Sequence, residues 1–185
     1  MREFGVRDSQ HTNIEWKAGS GETTGLADNS ADILTMASSF HWVDFEKGLT
    51  EFARVLRPGG IFCALWNPRK IEENPLLVEI ENTLYRMIPD MRRVSSGRSN
   101  FTDTLTKQLA AHHLVDDVIY IEGQHIAKQT PEHYLGVWWS VNDIRVQMGE
   151  TLFAEFMSWV EQRISQEPFI ETTYLTRAWV AKMNA

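Results

Sequence analysis

The sequence predicts an α/β protein built on a doubly wound sheet, and three observations support this fold class. Apolar stretches that suit strands alternate along the chain with stretches whose apolar residues recur at helical spacing. Two of the strand-like stretches, 31–40 and 61–66, are continuously apolar or small, which is typical of parallel strands covered by helices on both faces. The helical stretch between them has about the minimum length for a parallel crossover.

The first third of the chain is predicted to contain a helix end, three strands and one full helix. Alternation of Ile14, Trp16 and Ala18 with polar residues predicts a short strand. Asp44 is placed to cap the helix that follows the first buried strand, and the Pro58-Gly59-Gly60 sequence is expected to end that helix. The predicted elements are a helix end at 1–10, strands at 14–18, 31–40 and 61–66, and a helix from 45 to 56.

The remainder of the chain is predicted to be mostly helical, with two longer strands near its end. The strands are more regularly alternating than the central pair and are expected to form a hairpin-type edge joined by long helices. The predicted helices lie around 76–88 and at 103–113, 131–141 and 143–164, and the predicted strands lie at 117–128 and 169–182.

Composition excludes several classes of protein. The net charge is −7, and the only cluster of cations (Arg92, Arg93 and Arg98) lies in a Ser/Gly-rich stretch, so a nucleic-acid partner is not expected. No run of 18 apolar residues is present, so no membrane partner is expected either. The single cysteine, Cys63, cannot form an internal disulfide, which predicts a cytoplasmic protein.

Several spaced motifs resemble the class I S-adenosylmethionine-dependent methyltransferases of the type 11 group. The most distinctive of them is the Arg-Val-Leu-Arg-Pro-Gly-Gly turn, which begins at Arg54 and ends at Gly60. The resemblance is firm over residues 14–67, and Tyr174-Leu175-Thr176 resembles the family's final strand more loosely. The motifs lie at 21–26, 30–35, 39–42, 51–60 and 66–67.

The resemblance implies an incomplete Rossmann-like methyltransferase sheet. Family members have seven strands in the order 3-2-1-4-5-7-6, with the cofactor beyond the carboxyl ends of the strands. Strands 3 to 7 are expected here, whereas strands 1 and 2, with their Gly-x-Gly-x-Gly loop, have no counterpart before Gly19. Residues 1–185 are therefore interpreted as one N-terminally truncated methyltransferase domain, with helical insertions after strands 5 and 6, at 68–100 and 129–166, forming a cap on the acceptor side.

The missing strands have a physical consequence for strand 4. Without its neighbour, the apolar strand at 31–40 would be left with an unpaired edge, which is an association hazard. Three outcomes are expected as alternatives: the strand at 14–18 moves onto this edge, two copies form a homodimer through it, or the protein aggregates.

The resemblance implies a cofactor site for S-adenosylmethionine at the carboxyl ends of strands 3 and 4. Gly21 and Glu22 match the turn where adenine is held, although a solvated turn is the alternative. Ser38 and Ser39 lie where the methionine and sulfonium of the cofactor pass. The alternative is that these positions have small residues only because the chain packs closely there. Trp42 could lie against the sulfonium, because aromatic rings attract cations at short range.

One catalytic residue and four substrate residues complete the predicted site. His41 could act as a base, because its pKa is near neutrality, or could instead pack the loop. Asn67 and Arg69 follow strand 5 at the same edge, and Trp138 and Trp139 lie where family members build the acceptor pocket, with core packing as the alternative. No histidine has metal-ligand spacing, so no metal is expected.

The function predicted from these residues is methyl transfer to a small-molecule acceptor by the intact form of the protein. The alternative is a non-catalytic methyltransferase remnant that acts through dimerisation or regulation. A nucleotide-binding dehydrogenase is disfavoured, because no dinucleotide fingerprint is present.

Overall fold

The computed structural model describes residues 2–92 and 100–184. The chain begins with a short helix, and strands and helices then alternate to its end. Two short 3₁₀ turns, Phe40–Trp42 and Ile71–Glu73, follow the first two strands. In chain order the elements are α1 (Arg2–Asp8), β1 (Ala31–Ala37), α2 (Phe45–Val55), β2 (Leu56–Trp66), α3 (Pro75–Met87), α4 (Asn100–Ala110), β3 (Val115–Gln129), α5 (Pro131–Trp139), α6 (Asn142–Ile164) and β4 (Ile170–Met183).

The sheet is mixed and open, and its strands have the order β1-β2-β4-β3. β1 and β2 are parallel, whereas β4 runs antiparallel to both β2 and β3. The predicted α/β fold class is confirmed, and so is the long antiparallel pair at the end of the chain. In the family's numbering this order corresponds to strands 4-5-7-6.

The strand predicted at 14–18 does not form. These residues are exposed and have no regular secondary structure. Trp16 turns back toward α1 instead, where its indole nitrogen donates to Ser9 Oγ at 2.7 Å and its ring lies against Gly5. The prediction was wrong because alternation over five residues forms a strand only when a neighbouring strand can pair with it.

The prediction that 31–40 is a strand buried on both faces is also wrong. β1 ends at Ala37, and only alternate residues such as Leu34 and Met36 pack against the core. Ile33 points to the other side and its surface is 64% exposed. On that side neither hydrophobic core of the described residues covers the sheet. The uncovered face carries the apolar residues Ile33, Ile61, Cys63, Leu65, Ile119, Ile121 and Val180.

Helix α2 begins as predicted and ends earlier than expected. The Asp44 carboxylate caps it by accepting a hydrogen bond from the Lys47 N–H at 3.0 Å. The helix ends at Val55, and Pro58-Gly59-Gly60 belongs to the first half of β2. Gly59 has φ of +75°, a conformation that favours glycine, and the motif forms an irregular start of β2, just after the C-cap residue Leu56.

The described residues form two hydrophobic cores. The first lies between α2, α4 and one face of the sheet, and the second lies between α3, α5 and α6. The two segments predicted as a cap, 68–100 and 129–166, therefore pack on each other where they are described. The largest buried members of the first core are Trp66, Trp179, Phe40, Phe52 and Phe62, and those of the second are Tyr134, Trp138, Phe153 and Phe156.

None of the described helices is long and apolar enough to cross a membrane. Arg93 and Arg98, two of the three clustered arginines, lie outside the described residues.

Candidate functional site

The candidate site lies at the carboxyl ends of the parallel strands β1 and β2. Ser38 follows β1 with φ of +49°, and its N–H donates to Leu65 O at 2.7 Å, so the end of β1 is fixed to the end of β2. Ser39 precedes the Phe40–Trp42 turn, and its carbonyl accepts from the Trp42 N–H at 3.0 Å. Phe40 is fully buried and anchors this loop in the core. The loop is therefore anchored both to β2 and to the core, at the edge where such sheets bind ligands.

His41 and Trp42 differ in their surroundings. The Trp42 ring is 65% exposed and lies 4.8 Å from the His41 ring, centroid to centroid. His41 Nε2 is enclosed and has no hydrogen-bond partner among the described residues. Burial lowers the pKa of His41 below its usual value. The imidazole is therefore neutral at pH 7, while the indole remains open to a ligand.

Gly21 and Glu22 lie against the start of α2. The Glu22 carboxylate accepts from the Asp44 N–H at 3.0 Å, and this bond is the main cause of the lowered pKa of Glu22. A Cβ on Gly21 would lie 2.3 Å from Val43 Cγ2, so only glycine allows the turn to approach the loop this closely. The structure thus brings both residues beside the segment that contains Trp42.

A second carboxylate fixes the same turn to the middle of α2. Glu51 Oε1 accepts from the Thr24 N–H at 2.8 Å and from the Thr24 hydroxyl at 2.6 Å. The Arg54 guanidinium donates to both Glu51 oxygens and also pairs with Asp28. The Arg54 hydrogen bonds are the largest cause that lowers the pKa of Glu51 to about 2. An open groove of about 630 Å³ runs between the turn and α2 and is lined mainly by carboxylates.

Asn67 and Arg69 leave β2 in different directions. Asn67 is exposed, and its Oδ1 accepts from the Thr176 hydroxyl on β4 at 2.9 Å. Arg69 turns toward the helical layer, where its Nη2 lies 3.8 Å from Glu81 and its guanidinium lies 5.4 Å from the centre of the Trp138 ring. Asn67 therefore stays at the sheet edge, while Arg69 connects that edge to the second core.

The two neighbouring tryptophans of α5 have opposite environments. Trp138 is 1% exposed and packs on Tyr134 and Phe156 in the second core. Trp139 is 51% exposed and contacts Phe153 with one ring edge. Trp138 is thus a core residue that also supports Arg69, whereas Trp139 presents its surface to solvent.

Arg177 on β4 also lies at this edge, and the sequence reasoning missed it. Its Nε donates to the Tyr120 hydroxyl at 2.8 Å and its Nη1 donates to the Thr102 hydroxyl at 3.2 Å. Its guanidinium lies 4.9 Å from the centre of the Trp179 ring. One signal was available, namely a charged residue on a regularly alternating strand that is otherwise poor in charge. Within 2–92 and 100–184, no group of three or more histidine, cysteine or acidic side chains could hold a metal.

The strand order β1-β2-β4-β3 corresponds to strands 4-5-7-6 in the sheet of the class I methyltransferases, which the sequence motifs resemble. Residues 1–64 match the methyltransferase domain family. An uncharacterized methyltransferase of Mycobacterium tuberculosis is 47% identical over 51 residues, which cover 28% of this chain and 21% of that protein. A demethylmenaquinone methyltransferase of Corynebacterium efficiens is 33% identical over 94 residues, which cover 48% of this chain and 38% of that protein.

Among solved structures, a protein from Anaeromyxobacter dehalogenans named as a type II methyltransferase has the same fold. The match covers 91% of this chain and 72% of that chain, with a TM-score of 0.60 and 20% sequence identity. This chain spans less than two fifths of the length of the curated relatives cited above. The domain match, the relatives and the fold together identify the chain as related to the class I S-adenosylmethionine-dependent methyltransferases.

Proposed function

We propose that this protein transfers the methyl group of S-adenosylmethionine to a small-molecule acceptor. The observation that carries the proposal is the match of residues 1–64 to the methyltransferase domain, because this segment includes the fixed loop after β1. A small molecule is a better acceptor than a nucleic acid, because the net charge of −7 opposes binding to phosphates.

The residues of the loop fit the sulfonium side of the cofactor. The exposed Trp42 ring offers a face to a cation, and such contacts contribute about 0.5–2 kcal/mol. Ser38 and Ser39 place small side chains at the end of β1, where a ligand chain can pass. Gly21 and Glu22 would contact the adenosine end, beside the start of α2. S-adenosylmethionine supplies an already activated methyl group, so the protein mainly has to position the acceptor in line.

His41 is the candidate base. Its lowered pKa keeps the ring in the neutral form, which is the form that accepts a proton. Asn67 lies at the end of the adjacent strand, where its amide can orient an acceptor. Arg69 and Trp138 support this side from within, and Trp139 contributes an exposed aromatic surface to the cap side.

Calorimetric titration of the full chain with S-adenosylhomocysteine tests the proposal. Micromolar binding is expected, with affinity at least about fivefold weaker in Trp42→Ala, because the ring face is lost. Trp16→Ala is the matched control: this ring is also exposed, but it packs on α1, so its loss should leave affinity unchanged. Absence of binding by the folded chain, or equal losses in the two variants, would overturn the proposal.

A second candidate function is self-association through β1, and the unpaired edge of this strand favours it. β1 pairs only with β2 in the described sheet. An antiparallel pair of β1 strands centred on Leu34 would place Asp32 opposite Met36 and Ile33 opposite Thr35, so no like charges would meet. Such a pair would join two sheets into one and remove both exposed edges.

Light scattering on the purified chain distinguishes this second function. A dimer that Ile33→Lys converts to a monomer, and that Ile126→Lys leaves intact, would support it. The two isoleucines are exposed to 64% and 62%, but Ile126 lies on β3 at the opposite edge of the sheet. A monomeric wild-type chain would refute self-association through β1. Dissociation of the dimer in both Ile33→Lys and Ile126→Lys would refute it as well.

A further inference from the structure

A small pocket next to the candidate site is lined by both positively and negatively charged side chains. It has a volume of about 230 Å³ and lies between the Ile71–Glu73 turn, the first turn of α4 and the middle of β4. It begins one residue beyond Asn67, at the carboxyl end of β2. The lining residues are Pro68, Arg69, Lys70, Glu72, Asp103, Leu175 and Arg177.

Among the positively charged residues that line the pocket, Arg177 differs because its hydrogen-bond acceptors are uncharged hydroxyls. Arg69 faces Glu81, and Lys70 pairs with Glu73. Arg177 instead donates to the two hydroxyls of Tyr120 and Thr102 and forms no ion pair with any described residue. The positive charge of its guanidinium is therefore held in a fixed orientation and is available to an anion.

No carboxylate of the described residues forms a direct ion pair with Arg177. Glu122 lies directly opposite on β3, but its carboxylate is bonded to the Tyr120 hydroxyl. Asp103 lines the same pocket from the first turn of α4 and forms no ion pair with any described residue. Arg177 and Asp103 thus line the same small cavity, and no ion pair joins them.

We propose that this pocket binds a small amine–carboxylate zwitterion of the amino-acid class. The carboxylate of the ligand pairs with Arg177 and its ammonium group pairs with Asp103, so the ligand bridges the gap between them. Charge-assisted hydrogen bonds at both ends make a zwitterion a better ligand than an anion or a cation alone. The volume restricts the ligand to a small molecule.

The role of this ligand as methyl acceptor rests on the proposed function. In that reaction the amine first loses its ammonium proton, for which the neutral His41 ring is the candidate acceptor. Its nitrogen then forms a bond to the methyl carbon as the carbon–sulfur bond breaks, and the bonding electron pair goes to sulfur. The product amine is methylated and S-adenosylhomocysteine leaves.

The pocket is tested by titrating the full chain with glycine, acetate and methylamine in turn, with binding monitored by NMR. Glycine should bind at least tenfold more tightly than either single-charge probe. Asp103→Asn should weaken glycine at least fivefold and leave acetate unchanged, whereas Arg177→Gln should weaken both. Arg145→Gln, at an exposed ion pair on α6, is the control and should change nothing.

Two results would overturn the pocket proposal: equal affinity for the three probes, or glycine binding that Asp103→Asn leaves unchanged. Asp103 is exposed, so this variant tests the idea even if Arg177→Gln does not fold. Failure of the pocket and failure of the proposed function remain separable. Binding of S-adenosylhomocysteine without glycine binding refutes only the pocket, and the reverse result refutes only the cofactor site.

Discussion

Glu51 and Glu150 each accept two hydrogen bonds from one arginine, but the Glu51 side chain is far less exposed. Removing the charge of each carboxylate should therefore have very different effects on stability. Glu51 is bonded to Nε and Nη2 of Arg54, and Glu150 is bonded to the same two atoms of Arg145. The Glu51 side chain is 11% exposed and also accepts two bonds from Thr24, whereas Glu150 is 75% exposed. The variants Glu51→Gln and Glu150→Gln therefore form a matched pair.

The expected loss for Glu51→Gln follows from these contacts. Glutamine keeps one oxygen for Thr24 and loses the charge-assisted bonds to Arg54, each worth about 1.5–3 kcal/mol when fully buried. Because Arg54 is 36% exposed, solvent screening reduces the expected loss to about 1–2 kcal/mol. Glu150→Gln should leave stability nearly unchanged, because solvent screens this exposed pair. In thermal unfolding, Glu51→Gln should lower the Tm by about 2–8 °C, whereas Glu150→Gln should leave the Tm close to that of wild type.

The difference in stability between wild type and Glu51→Gln should decrease as the pH falls. The pKa of Glu51 is lowered from 4.5 to about 2 in the folded state, so its contribution is fully present above pH 4.5 and is lost as the pH falls toward 2. Wild type and Glu51→Gln should therefore converge in stability near pH 2. Equal stability of Glu51→Gln and wild type at pH 7, or a difference that persists at pH 2, would contradict a stabilising role of the ionised Glu51 carboxylate.

Three further predictions concern packing and titration. Trp138→Ala should lower the free energy of unfolding by about 3–5 kcal/mol and Trp139→Ala by about 1 kcal/mol, because only the first leaves a core cavity; denaturant unfolding measures both. Gly21→Ala should cost about 1–3 kcal/mol, and Val43→Ala in the same chain should recover most of it by removing the clash. The His41 ring should titrate below pH 6.5 in proton NMR, and stability should fall as the pH drops through its folded-state pKa; a normal or raised pKa would contradict its burial.

Local sequence signals predicted the central part of the fold well. The apolar periodicity between Phe45 and Leu56 and the capping residue Asp44 both lie within one element, so the sequence carries the information directly. The motifs that resemble a methyltransferase also fixed the order of the strands, because order is a property of the family. The site residues from Gly21 to Asn67 follow from the same motifs.

Long-range pairing could not be predicted in the same way. The alternation that begins at Ile14 suits a strand, but no neighbour pairs with it, and the continuous apolar run after Ala31 did not show that one sheet face is uncovered. Arg177 was missed because one of the residues that orients its guanidinium, Thr102, lies 75 residues away in sequence. Contacts of this range depend on tertiary structure and leave no local pattern.

NMR mapping of S-adenosylhomocysteine on the ¹⁵N-labelled chain is the most direct test of a cofactor site in this protein. We expect chemical-shift changes in the loop 38–42 and at residues 21–22, with little change in α6. This result would place the cofactor at the carboxyl ends of β1 and β2. Changes confined to the helical layer of α3, α5 and α6, or no change at millimolar ligand with a folded chain, would contradict the proposed methyltransferase site.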